Sequence, residues 1–236
     1  MLELHQFRHS AFCEKVRLVL AAKQLAYSVV EVSPGLGQLQ LYRLSGQRQV
    51  PVLVDGAAVI ADSSAIARHL EVLQPEPALL PQAPALRAQV LLLEDWADTA
   101  LAAGARLALL QAAVADPLLR GALLPDATPA PLRSLLGAVP AAPLAVLGQV
   151  LDHGGLEELR ANLDQLVALV QAQPYLVGER LSLADLAVAA QLSLLKFPAS
   201  AGAPLAGRGV PGLADDPQLQ PLWAWRDRIG SAVGRP

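Results

Sequence analysis

The first eighty residues alternate short apolar runs with an amphipathic segment. Residues 2–7 (LELHQF) and 27–32 (YSVVEV) are β-like runs, and the apolar residues between them, from Phe12 to Leu20, recur with helical spacing. A strand, a helix and a second strand at this spacing predict a β-α-β unit whose two strands are parallel.

A second group of short runs follows in residues 50–64 (VPVLVDGAAVIADSS), where two apolar stretches flank Asp55 and Gly56. An Asp-Gly pair between such stretches predicts a β-hairpin. A helix is predicted from about Ser63, because the apolar residues after it keep helical spacing. The resulting order is β-α-β, a linking segment, then β-β-α, which is the order of the thioredoxin fold.

Prolines divide the chain. Residues 74–84 (QPEPALLPQAP) contain four of them, which predicts an interdomain linker. From about residue 85 onward the chain is predicted to be helical. The predicted fold class is therefore an α/β thioredoxin-like N-terminal domain, residues 1–76, followed by an all-α C-terminal domain, residues 85–236.

Two helices of the second domain are well specified. Residues 156–173 place their leucines and valines on one stripe, and residues 181–195 begin with Ser182 at the N-cap and Asp185 three residues later. Such a pair predicts a capping box at the start of the second helix. Between the linker and these helices, prolines in residues 116–143 should break any long helix.

Composition and charge exclude several classes of protein. The chain is 53% hydrophobic and 17% charged, with a net charge of −3 and no run of Lys or Arg, so a nucleic-acid partner is not expected. No stretch reaches the roughly 18 apolar residues of a membrane span, and the N-terminus lacks the apolar segment of a signal peptide. One cysteine and four scattered histidines predict neither an internal disulfide nor a metal site. A cytoplasmic location is expected.

Three motifs, in this order, resemble those of the cytosolic glutathione transferases. They are QVPVL (49–53), ADSSAIARHL (61–70) and YLVGERLSLADLAVAAQL (175–192). The resemblance covers most of the chain and implies the glutathione transferase architecture, with a thioredoxin-like domain before an all-helical one. It also implies glutathione as co-substrate, no metal, and a homodimer.

The resemblance implies a set of glutathione-binding residues. A cis bond between Val50 and Pro51 would expose the main chain of Val50 for strand-like pairing with glutathione, with Gln49 beside it; an ordinary trans proline is the alternative. Ser63 would receive the γ-glutamyl carboxylate at a helix N-terminus while Asp62 attracts the amino group. Simple helix capping is the alternative for this pair.

The glycyl carboxylate of glutathione needs a cation or a hydrogen-bond donor. Arg48, Gln49 and Arg43 are the candidates. Arg48 stands where many relatives have glycine, and a solvent-exposed arginine without a ligand is the alternative interpretation.

A serine and the chain's one cysteine follow the first predicted strand, in SAFCEKVRLVL (10–20). In relatives that use serine or cysteine, the catalytic residue lies at the start of the first helix, and the resemblance places Ser10 there. Cys13 then falls at the resolving position of a Cys-x-x-Cys motif, and it is the alternative catalytic residue. Because Cys13 shares a helical stripe with Val16 and Leu20, it is predicted to face the core. Helix capping alone is the alternative for Ser10.

The function implied by the resemblance is conjugation of the glutathione thiolate to a small hydrophobic electrophile, bound between the two domains. Residues 116–153 are expected to line or cover that pocket. Two alternatives stay open: a glutathione-dependent thiol-disulfide reductase or isomerase, and a glutathione-transferase-like binding or assembly module with little turnover.

Overall fold

A computed structural model describes four stretches of the chain, residues 1–33, 36–124, 155–203 and 205–234. The N-terminal part contains one four-stranded sheet with the strand order β2-β1-β3-β4. Its strands are β1 (Leu2–Gln6), β2 (Tyr27–Glu31), β3 (Val52–Asp55) and β4 (Ala58–Ala61).

The strand pairing agrees with the sequence-based predictions. Strand β1 runs parallel to β2 and antiparallel to β3, and β3 pairs antiparallel with β4. The turn between β3 and β4 contains Gly56, whose φ of +59° lies in the left-handed region that favours glycine. The parallel β-α-β unit and the hairpin at Asp55-Gly56 are both confirmed.

The helices that the structure describes are numbered in chain order. They are α1 (Ala11–Ala22), α2 (Leu36–Ser45), α3 (Ser63–Leu73), α4 (Pro84–Trp96), α5 (Ala102–Ala115), α6 (Pro117–Ala122), α7 (Gly155–Ala172), α8 (Leu183–Leu192) and α9 (Gln220–Ala232). A π-helical turn, Ala97–Leu101, joins α4 to α5. All four strands lie before residue 62, and the described elements after residue 84 are helical. The predicted fold class, a thioredoxin-like domain followed by an all-helical one, is confirmed.

Helix α2 lies in the segment between β2 and β3, where the sequence pattern predicts only a link. Its apolar side chains do not form a buried stripe: Leu41 is buried, whereas Leu39, Tyr42 and Leu44 are exposed. A short helix that buries so little has a weak periodic signal in the sequence.

Helix α1 lies in the centre of the molecule, between α3 and α8. It carries Lys15, which is 0% exposed, and whose Nζ donates to Glu94 Oε1 at 2.6 Å and to Ser64 Oγ at 3.0 Å. The same ammonium group forms an ion pair with Asp98. These bonds join the N-terminal part to the segment α4–α5 through a buried cation that has three oxygen partners, as a buried charge requires.

The start of α8 has the predicted capping box, formed by Ser182 and Asp185. Asp185 Oδ2 accepts from the amide and the hydroxyl of Ser182, at 2.8 and 2.7 Å, and Oδ1 accepts from the amide of Leu176 at 2.7 Å. Burial raises the pKa of Asp185, and these hydrogen bonds oppose the rise.

Two sequence-based expectations extend beyond what the structure describes. Of residues 116–153, expected to line or cover a pocket, only the portion through residue 124, with the short helix α6, is described, and the rest lies outside the described residues. The domain limits 1–76 and 85–236 stay predictions. Within the described stretches, every helix is too short or too polar to cross a membrane.

Candidate functional site

Ser10 forms the N-cap of α1. Its backbone is extended, with φ −80° and ψ 124°, and its Oγ accepts a hydrogen bond from the Cys13 amide at 3.4 Å. The Ser10 amide donates to the Phe7 carbonyl at 3.0 Å, which holds the turn between β1 and α1. The cap bond is long, so capping uses the hydroxyl oxygen only weakly. The side chain is half-buried at the edge of a cleft.

Two adjoining clefts bring the predicted site residues together. The first, called here the serine cleft, has a volume of about 520 Å³ and is lined by Ser10, Arg48, Gln49 and Val50. Residues from the helical part complete its wall: Arg106, Leu109, Gln191 and Leu194.

The second, called here the acidic cleft, has a volume of about 340 Å³. It is lined by Val50, Pro51, Asp62, Ser63 and Asp98, among others. The two clefts share Phe12, Gln49 and Val50. They therefore meet at Val50, and Cys13 and Arg43 lie outside both.

Val50 occupies the boundary between the clefts. The Val50–Pro51 peptide bond is cis, as expected from the resemblance. Among the residues that the structure describes, no hydrogen bond involves the main chain of Val50. Main-chain groups at a protein surface beside a cleft are ready partners for an extended peptide, as in strand addition to a sheet edge.

Asp62 caps helix α3 from an unusual backbone conformation. Its φ of +79° is rare for a residue other than glycine, and such outliers cluster at functional sites. Its Oδ1 accepts from the amides of Ser64 and Ala65, at 3.0 and 2.9 Å. The cap thus occupies two of the amides that the sequence had suggested for an anion. The amide of Ser63 makes no hydrogen bond within the described residues, and it is the one left for a ligand.

Asp98 was missed by the sequence analysis. Its Oδ2 forms the ion pair with Lys15 and accepts from the Ser63 hydroxyl at 3.4 Å, while its Oδ1 is buried and, in the described part of the chain, has no partner. Burial raises the pKa of Asp98, and the charge of Lys15 lowers it. The signal available in the sequence was the group of acids Glu94, Asp95 and Asp98 in an otherwise apolar helical stretch.

Two arginines line the serine cleft. The Arg48 guanidinium lies over the Tyr42 ring, 5.5 Å from its centroid, and Arg48 is exposed to solvent. Arg106, which the sequence analysis did not single out, lies over the Phe12 ring at 5.2 Å, and its Nε donates to the Ala102 carbonyl at 3.0 Å. Both cations are held by aromatic rings beside the cleft, where an anionic group can reach them.

Cys13 is 0% exposed and packs in the core, as its helical stripe predicts. Burial raises the pKa of its thiol to about 11, while hydrogen bonds from the Ser10 hydroxyl and the Phe7 backbone lower it. A thiol in this environment is almost entirely protonated at neutral pH, and the thiolate is the reactive form.

Cys13 is expected to resist alkylation in the native protein and to react once the chain is unfolded. Burial places the folded thiol near pKa 11, against 9.0 for an ordinary cysteine. The contribution of the protonated thiol to the free energy of unfolding is therefore fully present below pH 9. It is lost as the pH rises from 9 to 11, where the thiol ionises in the unfolded chain but not in the folded one. Iodoacetamide labelling with and without urea measures the protection, and urea titrations of wild type and Cys13→Ala from pH 8 to pH 11 measure the linkage. Rapid labelling of the native protein near pH 7 would contradict the assignment.

The fold is a thioredoxin-like domain with two clefts beside a helical domain, and comparison with known proteins identifies the family. Residues 4–78 match the family model of the glutathione S-transferase N-terminal domain, and residues 94–228 match that of the C-terminal domain. The chain belongs to the glutathione S-transferase family.

Individual relatives differ in how much of the chain they match. FtsZ-localized protein A of Caulobacter vibrioides is 31% identical over 198 residues, which are 82% of this chain and 77% of that protein. Glutathione S-transferase Z1 of Arabidopsis thaliana is 37% identical over 84 residues, 34% of this chain and 38% of that protein. The crystal structure of a glutathione S-transferase from Rhodospirillum rubrum F11 is 25% identical, covers 98% of this chain and 88% of its own, and superposes with a TM-score of 0.68.

Proposed function

We propose that the chain binds glutathione across the two clefts and transfers its thiolate to a small hydrophobic electrophile. The observation that carries the proposal is the meeting of both clefts at Val50, whose main chain makes no hydrogen bond with any described residue. Ser10 lies on one side of that point, and the amino-terminal end of α3 lies on the other.

The residues around the clefts suit the parts of this tripeptide. The main chain of Val50 suits the cysteinyl backbone, the Ser63 amide suits the γ-glutamyl carboxylate, and the buried Oδ1 of Asp98 suits the α-ammonium group. Arg48, on the wall of the serine cleft, suits the glycyl carboxylate. A buried carboxylate oxygen without a partner is costly, and an ammonium ligand would remove that cost.

Ser10 is proposed to stabilise the thiolate and not to act as a nucleophile. A cysteine-type thiol has a pKa near 8.5, so only about 3% of it is ionised at pH 7. A hydrogen bond from a hydroxyl to a charged acceptor is worth about 1.5–3 kcal/mol, which lowers a pKa by about one to two units. The hydroxyl rotor lets Ser10 turn its proton from the Cys13 sulfur toward a ligand.

The electrophile is proposed to occupy the serine cleft. Phe12 from the N-terminal part and Leu109 and Leu194 from the helical part give it apolar walls. Conjugation forms a sulfur–carbon bond, the leaving group departs with its bonding electron pair, and the thiol proton passes to water. Because Ser10 lies at the edge of the serine cleft, the glutathione sulfur that it stabilises would lie there too, next to the electrophile.

Calorimetry with glutathione and with the dipeptide Cys-Gly tests the binding mode. Cys-Gly keeps the thiol and the glycyl carboxylate but lacks the γ-glutamyl group assigned to the acidic cleft. Glutathione should bind at least about tenfold more tightly, because one charge-assisted contact is worth that factor or more. No detectable binding of glutathione would refute the proposed function, and equal binding of the two peptides would remove the acidic cleft from it.

A second candidate is a binding or assembly module that holds a protein partner and turns over little. It is supported by the long match to a relative named for its localisation with FtsZ, against the shorter match to a transferase. Glutathione binding without conjugation of any member of an electrophile panel would favour it.

The buried, weakly acidic Cys13 disfavours a thiol-disulfide reductase. An isomerase would need glutathione but release it unchanged.

A homodimer is also proposed. Helix α4 buries only Val90 and Glu94 of its residues and leaves apolar side chains such as Leu86 and Leu92 exposed, the latter 71%. An apolar helix face on the surface is typical of an interface. A monomeric mass in multi-angle light scattering would contradict this proposal.

A further inference from the structure

Gln191 lies on the wall of the serine cleft, and its side-chain amide has no hydrogen-bond partner among the residues that the structure describes. It is 0% exposed, and within the described stretches neither its Oε1 nor its Nε2 has a partner. Protein interiors rarely leave a buried amide in this state, because both polar atoms lose their water without compensation. The structure of the described residues alone does not account for a glutamine at this position.

The surrounding helix makes the exception clear. Every residue of α8 is buried, and only Asp185 and Gln191 among them are polar. Asp185 is explained by the capping box, where it accepts three hydrogen bonds. Gln191 lies more than one turn farther along, near the carboxyl end of the helix. A leucine or methionine there would fill the same space without burying an amide.

We propose that Gln191 is a specificity residue, whose buried amide pairs with a carboxamide-like group on an otherwise apolar electrophile. A carboxamide presents one acceptor and one donor side by side, which matches the donor and acceptor of a glutamine side chain. A group with only an acceptor would leave Oε1 unpaired, and a hydrocarbon would leave both atoms unpaired. A site with buried polar groups rejects ligands that cannot pair with them.

The remaining walls define the rest of this ligand. Phe7, Phe12 and Leu109 line the same cleft, so the body of the electrophile should be aromatic or aliphatic. The volume of about 520 Å³ admits a substituted benzene ring beside the end of a tripeptide. This inference rests on the proposed function only for the reaction, since the pairing itself requires no thiol.

Two para-substituted benzyl chlorides test the pairing during conjugation. One carries a carboxamide, and the other carries an isopropyl group of nearly the same shape. In each reaction the sulfur–carbon bond forms while the carbon–chlorine bond breaks, and chloride leaves with the electron pair. Gln191→Met should lower kcat/KM for the carboxamide about tenfold, as expected for the loss of a paired neutral amide. The same change should leave the isopropyl compound unaffected or improve it.

A measurement without chemistry separates this inference from the proposed function. Saturation-transfer NMR compares binding of 4-methylbenzamide to wild type, Gln191→Met and Gln191→Leu. Binding that is lost in both variants supports the pairing even if no conjugation is ever detected. Conjugation that proceeds with the same preference in wild type and both variants overturns the pairing and leaves the proposed function intact.

Gln173→Met is the matched control for the substitution itself. Gln173 is half-buried, lies outside both clefts, and donates from Nε2 to the Leu176 carbonyl at 3.0 Å. Its replacement should lower the melting temperature without changing the carboxamide preference, whereas Gln191→Met should not lower the melting temperature. A loss of stability in Gln191→Met as large as in the control would show a structural partner for the amide and overturn the inference.

Discussion

Replacement of Ser10 by alanine is expected to raise the pKa of bound glutathione's thiol by about one to two units. The hydroxyl that Ser10 presents at the serine cleft is the donor that favours the thiolate, and alanine has none. At pH 7 the ionised fraction would fall to about the 3% of a free thiol with a pKa near 8.5, and conjugation would slow about tenfold. Ultraviolet absorbance of the bound thiolate, followed against pH, measures the shift directly.

The pH–rate profile distinguishes this role from simple capping. If Ser10 only stabilised α1, the rate would fall at every pH, whereas a lost donor is compensated at high pH, where the thiol ionises unaided. The profile of Ser10→Ala should therefore move to higher pH and rejoin that of wild type above the new pKa. Ser10→Thr keeps a hydroxyl, so the pKa of the bound thiol and the pH–rate profile should stay close to those of wild type.

Ser28→Ala is a suitable control, because it removes the same atom from an exposed position outside both clefts. It should leave thiolate absorbance and rate unchanged. Equal thiolate pKa values in wild type and Ser10→Ala would remove Ser10 from the mechanism, whatever the effect on the rate.

The parts of the fold that were predictable have local signals. The hairpin depends on Asp55 and Gly56, two adjacent residues, and the capping box depends on Ser182 and Asp185, three apart. Helix α1 could be predicted because one of its faces is apolar over several turns. Each of these elements depends on residues that are close together in the sequence, so their spacing is sufficient to predict it.

The candidate site was only half predictable, for a physical reason. Its N-terminal residues lie in short motifs that open a strand or a helix, and the resemblance of these motifs to those of the glutathione transferases predicts their roles. Asp98 and Gln191 belong to the site through packing between distant segments: Lys15 and Asp98 are 83 residues apart in sequence. No local pattern records that a side chain will be buried beside a cleft without a partner. Only the tertiary structure distinguishes Asp185, whose carboxylate accepts hydrogen bonds, from Gln191, whose amide has no partner in the described part of the chain.

This division has a functional consequence. Apart from Asp98, the residues proposed to bind glutathione lie in contiguous motifs of the N-terminal part, whereas the wall of the serine cleft also includes residues of α5, of α8 and of the turn after α8. Changes in α5 and α8 are therefore expected to alter the proposed electrophile site without disturbing the proposed contacts of glutathione. That separation is also why the family assignment is secure while the electrophile must be inferred from individual side chains such as Gln191.

Replacement of Asp185 by alanine is expected to lower the free energy of unfolding by about 3 kcal/mol or more. The carboxylate itself gains little from its position, since burial raises its pKa. The cost falls on its donors: the amides of Leu176 and Ser182 and the Ser182 hydroxyl would be left buried without an acceptor. Helix α8 would also lose the Asp185 half of its capping box, and it packs against α1, so the loss should reach the serine cleft.

Urea titration measures the effect, with Asp164→Ala as the matched control. Asp164 is exposed on α7 and pairs with Arg160 four residues earlier, at 3.0 Å from Nε to Oδ1. An exposed pair of this kind contributes about 0.5 kcal/mol or less, so the control should unfold at nearly the wild-type urea concentration. If Asp185→Ala unfolded together with the control, the buried donors would have found other acceptors. The Asp185 carboxylate would then not be what stabilises the start of α8.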